Sequence, residues 1–106
     1  MVESMIQGKD KKHLDLKRIS EIKGATGSLL TLHGASGTND DDLRTSIAAG
    51  INIIHMNTEL RVAWRQSLDK TLSEHKQEVV PYKILPPVVD AIKQVVLSRL
   101  KLFNNL

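Results

Sequence analysis

The sequence predicts an α/β fold in which two parallel strands alternate with helices and belong to a larger sheet. Two short apolar segments, residues 28–32 and 51–56, have the length and composition of buried strands. A helical apolar pattern lies between them and two more follow, which is the order of βαβ units. Because parallel strands occur almost only in sheets covered on both faces, two of them imply a sheet that continues beyond them.

The composition favours a single ordinary domain. The 106 residues are 41% hydrophobic and 25% charged, with a net charge of +3. One Trp, one Tyr and one Phe lie far apart, without the basic stripe and interleaved aromatics of a nucleic-acid surface, so we expect no nucleic-acid partner. The absence of cysteine excludes disulfides and thiolate sites. No apolar run approaches the about 18 residues of a membrane span, so we expect a cytoplasmic protein.

The chain is expected to begin with a flexible lead-in. Residues 1–13 are polar and show no sustained period, whereas residues 14–106 form the structured domain. The apolar spacing at the start of the domain predicts a short amphipathic helix, and its members are Leu14, Ile19 and Ile22. Gly24 and Gly27 are expected to end this helix before the first strand.

The helix between the two strands is predicted at Asp40–Ala49. Thr38 or Asn39 is a suitable N-cap, and the first turn holds residues 40–42, all aspartate. Acids at this position complement the helix dipole, so we interpret them as capping residues and not as a catalytic acid and base. Gly50 suits a left-handed C-terminal cap.

The longest apolar pattern predicts a helix over residues 59–75, with Asn57 or Thr58 as its N-cap. Its expected buried face consists of Leu60, Ala63, Trp64, Leu68 and Leu72. A last amphipathic helix is predicted over residues 88–103, with Pro87 in its first turn. The basic residues Lys93, Arg99 and Lys101 are expected on its solvated face.

The main candidate for chemistry is His33, which follows the first strand and precedes a glycine-rich loop. An imidazole there can bind a metal, although a lone histidine more often only hydrogen-bonds a neighbouring loop. Gly34, Ala35 and Ser36 supply small residues, backbone N–H groups and a hydroxyl before a helix N-terminus, which together suit an anion such as phosphate. An ordinary tight turn with an N-cap is the simpler interpretation of this loop alone.

The second strand is followed by a similar arrangement. Asn57 and Thr58 stand at another helix start, so two neighbouring helix N-termini are expected to point into one space. His55 lies two residues before Asn57 and therefore shares a strand face with it, although a packed histidine is an equal alternative. We expect His13 and His75 to face solvent.

These segments resemble class II, metal-dependent ketose-bisphosphate aldolases, a family that includes fructose- and tagatose-bisphosphate aldolases. The residues that resemble the family are Leu30-Thr31-Leu32-His33-Gly34-Ala35-Ser36-Gly37, residues 41–50, and Met56-Asn57-Thr58-Glu59-Leu60. The similarity begins near Leu14-Asp15-Leu16 and extends through the last helix. It identifies the chain as similar to the C-terminal part of a (β/α)₈ TIM barrel, incomplete as a barrel.

The resemblance implies reversible aldol cleavage of a ketose bisphosphate to dihydroxyacetone phosphate and an aldehyde, with Zn²⁺ as the Lewis acid. His33 is then the last of three zinc histidines. The implied phosphate-binding residues are Gly34, Ala35, Ser36, His55, Met56, Asn57 and Thr58. Family members are commonly dimers or tetramers, so the resemblance also implies a homo-oligomer or a complementing chain.

The departures from the family pattern bear on activity. His55 replaces an asparagine that contacts dihydroxyacetone phosphate in the family, and residues 1–12 do not match the other two zinc histidines or the proton-transferring aspartate. Because a catalytic zinc site normally needs about three protein ligands, we expect this chain to be inactive alone. The alternatives are a non-enzymatic role in phosphosugar binding or in assembly with another chain, and an incomplete or decayed gene copy without a role.

Overall fold

The structure is a computed structural model that describes residues 13–106, so the expected lead-in lies almost wholly outside the described residues. The elements in chain order are helix α1 (Leu16–Thr26), strand β1 (Leu30–Leu32), a 3₁₀ turn (Ala35–Gly37), helix α2 (Asp40–Ala49), strand β2 (Ile51–Ile54), helix α3 (Thr58–Glu74) and helix α4 (Pro81–Phe103). The expected fold class is confirmed, because two parallel strands alternate with helices in the predicted order.

The two strands pair in parallel but are shorter than predicted. Leu32 lies opposite Ile54, and the register shifts between Leu30 and Thr31. At this shift the side-chain oxygen of Asn52 accepts hydrogen bonds from the backbone N–H of Leu30 (3.1 Å) and from Lys23 Nζ (2.9 Å). A side chain therefore satisfies the backbone donor that the irregular ladder leaves unpaired.

Local capping accounts for the ends of the first helix. The Asp15 carboxylate accepts a 3.0 Å bond from the backbone N–H of Arg18, so α1 begins at Leu16. Gly27 has a left-handed backbone (φ 63°), and its N–H donates to the carbonyl of Lys23. Gly24 lies inside α1, so only the second of the two expected glycines ends this helix.

Helix α2 has the predicted bounds, and Asn39 is its N-cap. The Asn39 side-chain oxygen accepts bonds from the backbone N–H groups of Asp41 (2.8 Å) and Asp42 (3.3 Å). Gly50 ends the helix at φ 131° and ψ 3°, a positive φ outside the left-handed helical region that the sequence predicted. Its N–H donates to the carbonyls of Ser46 and Ile47, so the last turn is closed in a different way.

The prolines do not delimit the last helix as predicted. Helix α4 starts at Pro81, seven residues before the expected first residue, and Pro86 and Pro87 lie inside it. Pro81 suits a first helical position because it needs no N–H partner and its φ is fixed. The carbonyls left unpaired by the inner prolines belong to Tyr82 and Lys83, which are exposed, so water can bond to them.

The core is small, and α3 packs against α4 over most of its length. The buried apolar residues are Ala35, Leu43, Ile51 and Val88. The expectation that Trp64 belongs to the core is wrong, since 45% of it is exposed, and Leu72 is similarly exposed. Ile53 is also 44% exposed, although a parallel strand is expected to be covered on both faces. No element among residues 13–106 covers these positions.

Candidate functional site

His33 and His55 meet at the carboxyl edge of the two-stranded sheet. Each follows its strand within one residue, and parallel strands end at the same edge. The Nδ1 atoms of the two rings are 3.1 Å apart, the ring centroids 4.6 Å apart, and the planes inclined by 77°. Both residues are exposed. The sequence predicted each histidine separately but not their contact.

Backbone hydrogen bonds hold this histidine pair in place. The N–H of His55 donates to the carbonyl of Leu32 at 2.9 Å, and the N–H of Ala35 donates to the carbonyl of His55 at 3.4 Å. These two bonds continue the parallel ladder beyond the strands. The two rings are therefore anchored to a common backbone framework.

The β1 loop, residues 33–39, turns sharply after His33. Gly34 has φ 70°, a left-handed conformation that glycine adopts without the strain of a Cβ atom. The 3₁₀ turn follows, and the N–H of Thr38 donates to the carbonyl of Ala35. Ala35, Ser36 and Thr38 are buried. The loop is thus packed tightly enough to fix the Ser36 hydroxyl.

Ser36 connects the β1 loop to the start of α3. Its Oγ accepts a 3.2 Å hydrogen bond from the backbone N–H of Glu59 in the first turn of α3. Asn57 precedes α3 but its side chain makes no capping bond, and Thr58 Oγ1 accepts instead from Arg61. Asn57 is thus the N-cap residue, as predicted, but the capping hydrogen bond comes from Ser36 and not from the Asn57 side chain. Local sequence gave no signal for a cap supplied from 23 positions away.

Arg99, Glu59 and Asp40 form an ion-pair cluster beneath the loops. Arg99 donates to Glu59 Oε1 through Nε (2.9 Å) and Nη2 (2.7 Å), and to Asp40 Oδ1 through Nη1 (2.7 Å). Its side chain is only 17% exposed, so the expectation of a solvated Arg99 is wrong. Helical periodicity placed it on a polar face, but the first turns of α2 and α3 cover that face.

The cluster changes the charge at the start of α3. Burial by itself would lower the pKa of the Arg99 guanidinium, but hydrogen bonds and charges from Glu59 and Asp40 outweigh it and raise that pKa. Because Arg99 is protonated at any physiological pH, it compensates the Glu59 carboxylate. The Glu59 carboxylate, in the first turn of α3 next to the β1 loop, is therefore paired with a positive charge.

The remaining residues of the β2 loop, 55–57, have different surroundings. Asn57 is exposed, whereas Met56 is half-buried and lines an apolar pocket of about 180 Å³ between β2, α3 and α4. The other lining residues include Leu60, Val95 and Phe103. The Met56 side chain thus belongs to the interior side of the loop.

The other two histidines are exposed, as predicted. His13 Nδ1 lies 3.2 Å from Asp42 Oδ2, which also accepts the backbone N–H of Leu14. The expected interpretation of Asp42 as only a helix-capping acid is incomplete, since it also fixes the segment before α1. His75 follows the end of α3.

The donor set for a metal is partial within residues 13–106. Across that part of the chain, no group of three His, Cys, Asp or Glu side chains is arranged to hold a metal ion. His33 and His55 nevertheless provide two imidazole nitrogens, a donor type that zinc favours. In the same part of the chain, no helix combines the length and apolar character needed to cross a membrane.

Several curated aldolases are similar to this chain. The probable fructose-bisphosphate aldolase of Bacillus subtilis (strain 168) is 33% identical over 97 residues, which are 92% of this chain and 34% of that protein. The fructose-bisphosphate aldolase of Thermus caldophilus is 30% identical, over 93% of this chain and 39% of that protein. A 6-phospho-5-dehydro-2-deoxy-D-gluconate aldolase of Bacillus subtilis is 31% identical, over 88% of this chain and 32% of that protein.

The fold is likewise similar to part of a solved aldolase. The crystal structure of the YdjI aldolase from Escherichia coli K12 matches with a TM-score of 0.70 and 28% identity, covering 96% of this chain and 42% of that one. The chain thus spans about a third to two fifths of the relatives' lengths. A family model for class-II fructose-bisphosphate aldolase matches residues 4–106. The chain therefore belongs to the class II fructose-bisphosphate aldolase family.

Proposed function

We propose that this chain contains the phosphate-binding part and one zinc ligand of an aldolase that cleaves a ketose bisphosphate to dihydroxyacetone phosphate and an aldehyde. The observation that supports it most is the hydrogen bond between Ser36 and the N–H of Glu59. It brings the β1 loop against the N-terminus of α3, so the dipoles of neighbouring loops and helix favour an anion in one place.

The proposed phosphate ligands are Gly34, Ser36, Asn57 and Thr58, while Ala35, whose N–H donates to His55, supports the loop. The Ser36 oxygen already accepts from Glu59, which leaves its O–H free to be donated to a phosphate oxygen. Arg99 supports binding indirectly, because it compensates the Glu59 carboxylate that would otherwise repel the anion. Met56 contributes only backbone, since its side chain lines the apolar pocket.

In this proposal His33 is the zinc ligand, and zinc, when bound, supplies Lewis-acid polarisation of the substrate carbonyl. The residues of this chain bind and orient the phosphate end of the substrate. Because a catalytic zinc normally has about three protein ligands, the chain is proposed to be inactive without further ligands and an acid–base group.

The test combines binding and turnover. Ligand-detected NMR with the purified chain should show binding of dihydroxyacetone phosphate, and binding should weaken in Ser36→Ala. A matched control is Ser98→Ala, whose hydroxyl bonds only within α4. Cleavage of fructose and tagatose bisphosphates with added zinc should not exceed the blank. Failure to bind would contradict the phosphate site, and turnover would contradict the proposed inactivity.

A second candidate is an assembly role, in which another chain covers the exposed apolar side chains. Ile53, Trp64 and Leu72 are each more than two fifths exposed, at 44%, 45% and 42%. Light scattering across a concentration series tests this role. We expect the mass of the purified chain to rise with concentration. A constant monomer mass would contradict self-assembly through these side chains.

A further inference from the structure

We propose that His33 and His55 together form a two-nitrogen chelate for a divalent transition-metal ion such as Zn²⁺. The proposal shares His33 with the aldolase function above, but it makes His55 a metal ligand, whereas the family resemblance implied a substrate contact there. It depends on the geometry of the two rings and not on aldol chemistry, so each proposal can fail without the other.

Two imidazole nitrogens this close together need a proton or a metal cation between them. At 3.1 Å, two bare imidazole nitrogens would direct lone pairs at one another. Either one ring donates an N–H to the other or both lone pairs point to a shared cation. A metal ion replaces the single bridging proton with a bond to each nitrogen.

The distance fits the bite of one metal ion. With Zn–N bonds of about 2.0–2.1 Å, nitrogens 3.1 Å apart subtend an angle of about 100° at the metal, between octahedral and tetrahedral values. The rings are inclined by 77°, and χ2 is a soft torsion for histidine, so each ring can adjust its lone pair towards the ion.

The backbone holds this bite. His55 donates to Leu32 and accepts from Ala35, so its backbone is hydrogen-bonded to residues on either side of His33. Less backbone ordering is then needed when the metal binds, which favours affinity. Both histidines are exposed, so the ion can enter from solvent and water can complete its coordination.

The chemistry of the donors selects the class of ion. Two neutral imidazoles suit Zn²⁺, Cu²⁺ and Ni²⁺, and they disfavour Mg²⁺ and Ca²⁺, which prefer oxygen ligands. His13 beside Asp42 is a competing place for such an ion, because an imidazole and a carboxylate lie 3.2 Å apart there. The experiment must therefore separate the two places.

The test is calorimetric titration of the purified full chain with Zn²⁺, and with Mg²⁺ as the ion that should not bind. Both His55→Asn and His33→Asn should weaken zinc binding by at least about tenfold, comparable to the loss of an outer-shell partner of a metal ligand. The control variants His13→Asn and His75→Asn, each of which also removes one exposed imidazole, should bind like the parent. Circular dichroism checks that each variant is folded.

X-ray absorption on the zinc-loaded chain counts the ligating imidazoles independently. Two imidazoles in the parent and one in His55→Asn are expected. The proposal is overturned if the parent does not bind zinc, if His55→Asn binds as the parent does, or if His13→Asn loses as much affinity. Zinc binding without dihydroxyacetone phosphate binding would support the chelate and contradict the phosphate site.

Discussion

The hydroxyl of Ser36 caps the helix that begins at Thr58, because it accepts the backbone N–H of Glu59 at 3.2 Å. A loop that follows one strand thus completes the helix that follows the next strand. The same contact determines how close the two proposed phosphate-binding loops lie. The packing of the two loops and the geometry of the proposed anion site therefore depend on the same contact.

Ser36→Ala should lower the free energy of unfolding by about 1 kcal/mol, the usual cost of losing a helix N-cap hydroxyl. The part-buried N–H of Glu59 loses its acceptor in this variant. Urea denaturation followed by circular dichroism measures the change.

The matched control is Ser98→Ala, which also deletes one hydroxyl. Ser98 is exposed and bonds only to the carbonyl of Val95 in its own helix, so its removal should change stability by under about 0.5 kcal/mol. Equal losses of stability in the two variants would show that Ser36 does not cap α3.

Arg99→Met should destabilise the chain by about 2 kcal/mol, because it leaves the half-buried Glu59 carboxylate without its partner. Methionine preserves much of the side-chain volume, so the loss reports charge and hydrogen bonding more than packing. The change in midpoint of thermal or urea unfolding measures it. Binding of dihydroxyacetone phosphate should weaken too, since an uncompensated acid then lies near the proposed anion site.

Lys93→Met is the control for Arg99→Met, because it removes one positive charge from an exposed position of the same helix. Its effect on stability should stay within about 0.5 kcal/mol. If both variants destabilise the chain equally, net charge and not the ion-pair cluster would be responsible.

Gly50→Ala should lower stability by about 1–2 kcal/mol, since φ is 131° and an added Cβ would lie 2.7 Å from Lys23 Cγ. Lys23 cannot easily move, because its Nζ bonds to Ser28 and Asn52. Adding Lys23→Ala removes Cγ and Cδ but leaves Lys23 Cβ 2.9 Å from the added atom, so only a small part of the loss should be recovered. Urea denaturation measures the free energy of unfolding of the single and double variants.

Gly24→Ala is the matched substitution, because Gly24 lies inside α1 with nothing within 4 Å of the added Cβ. Alanine is the better helix former, so stability should rise by about 0.5–1 kcal/mol. A loss at position 24 or a gain at position 50 would contradict the conformations assigned to these glycines.

Val88→Ala should destabilise the chain by about 2 kcal/mol, because a side chain that is 2% exposed leaves a cavity between α3 and α4. The neighbouring Val89→Ala removes the same two methyl groups from a residue that is 63% exposed, and it should be close to neutral. Thermal unfolding compares the two, and similar costs would contradict the packing of α4.

Several features were predictable because they depend on neighbouring residues. Asn39 caps α2 through backbone groups two and three positions away, and the α2 bounds agree with prediction. The strand order and the family membership also followed from local pattern and motif. The start of α4 was not predictable in this way, since Pro86 and Pro87 are strong helix-break signals and yet lie inside a helix that begins at Pro81.

The sequence by itself determined the α/β order, the location of His33 at a strand end and the glycine-rich β1 loop, since each depends on contacts within about one helical turn. The tertiary structure decided that His33 meets His55, that Ser36 caps α3 and that Arg99 is paired, across separations of 22, 23 and 40 residues. Periodicity gives the face on which a side chain lies. Only packing decides whether that face meets water, another charge or another imidazole.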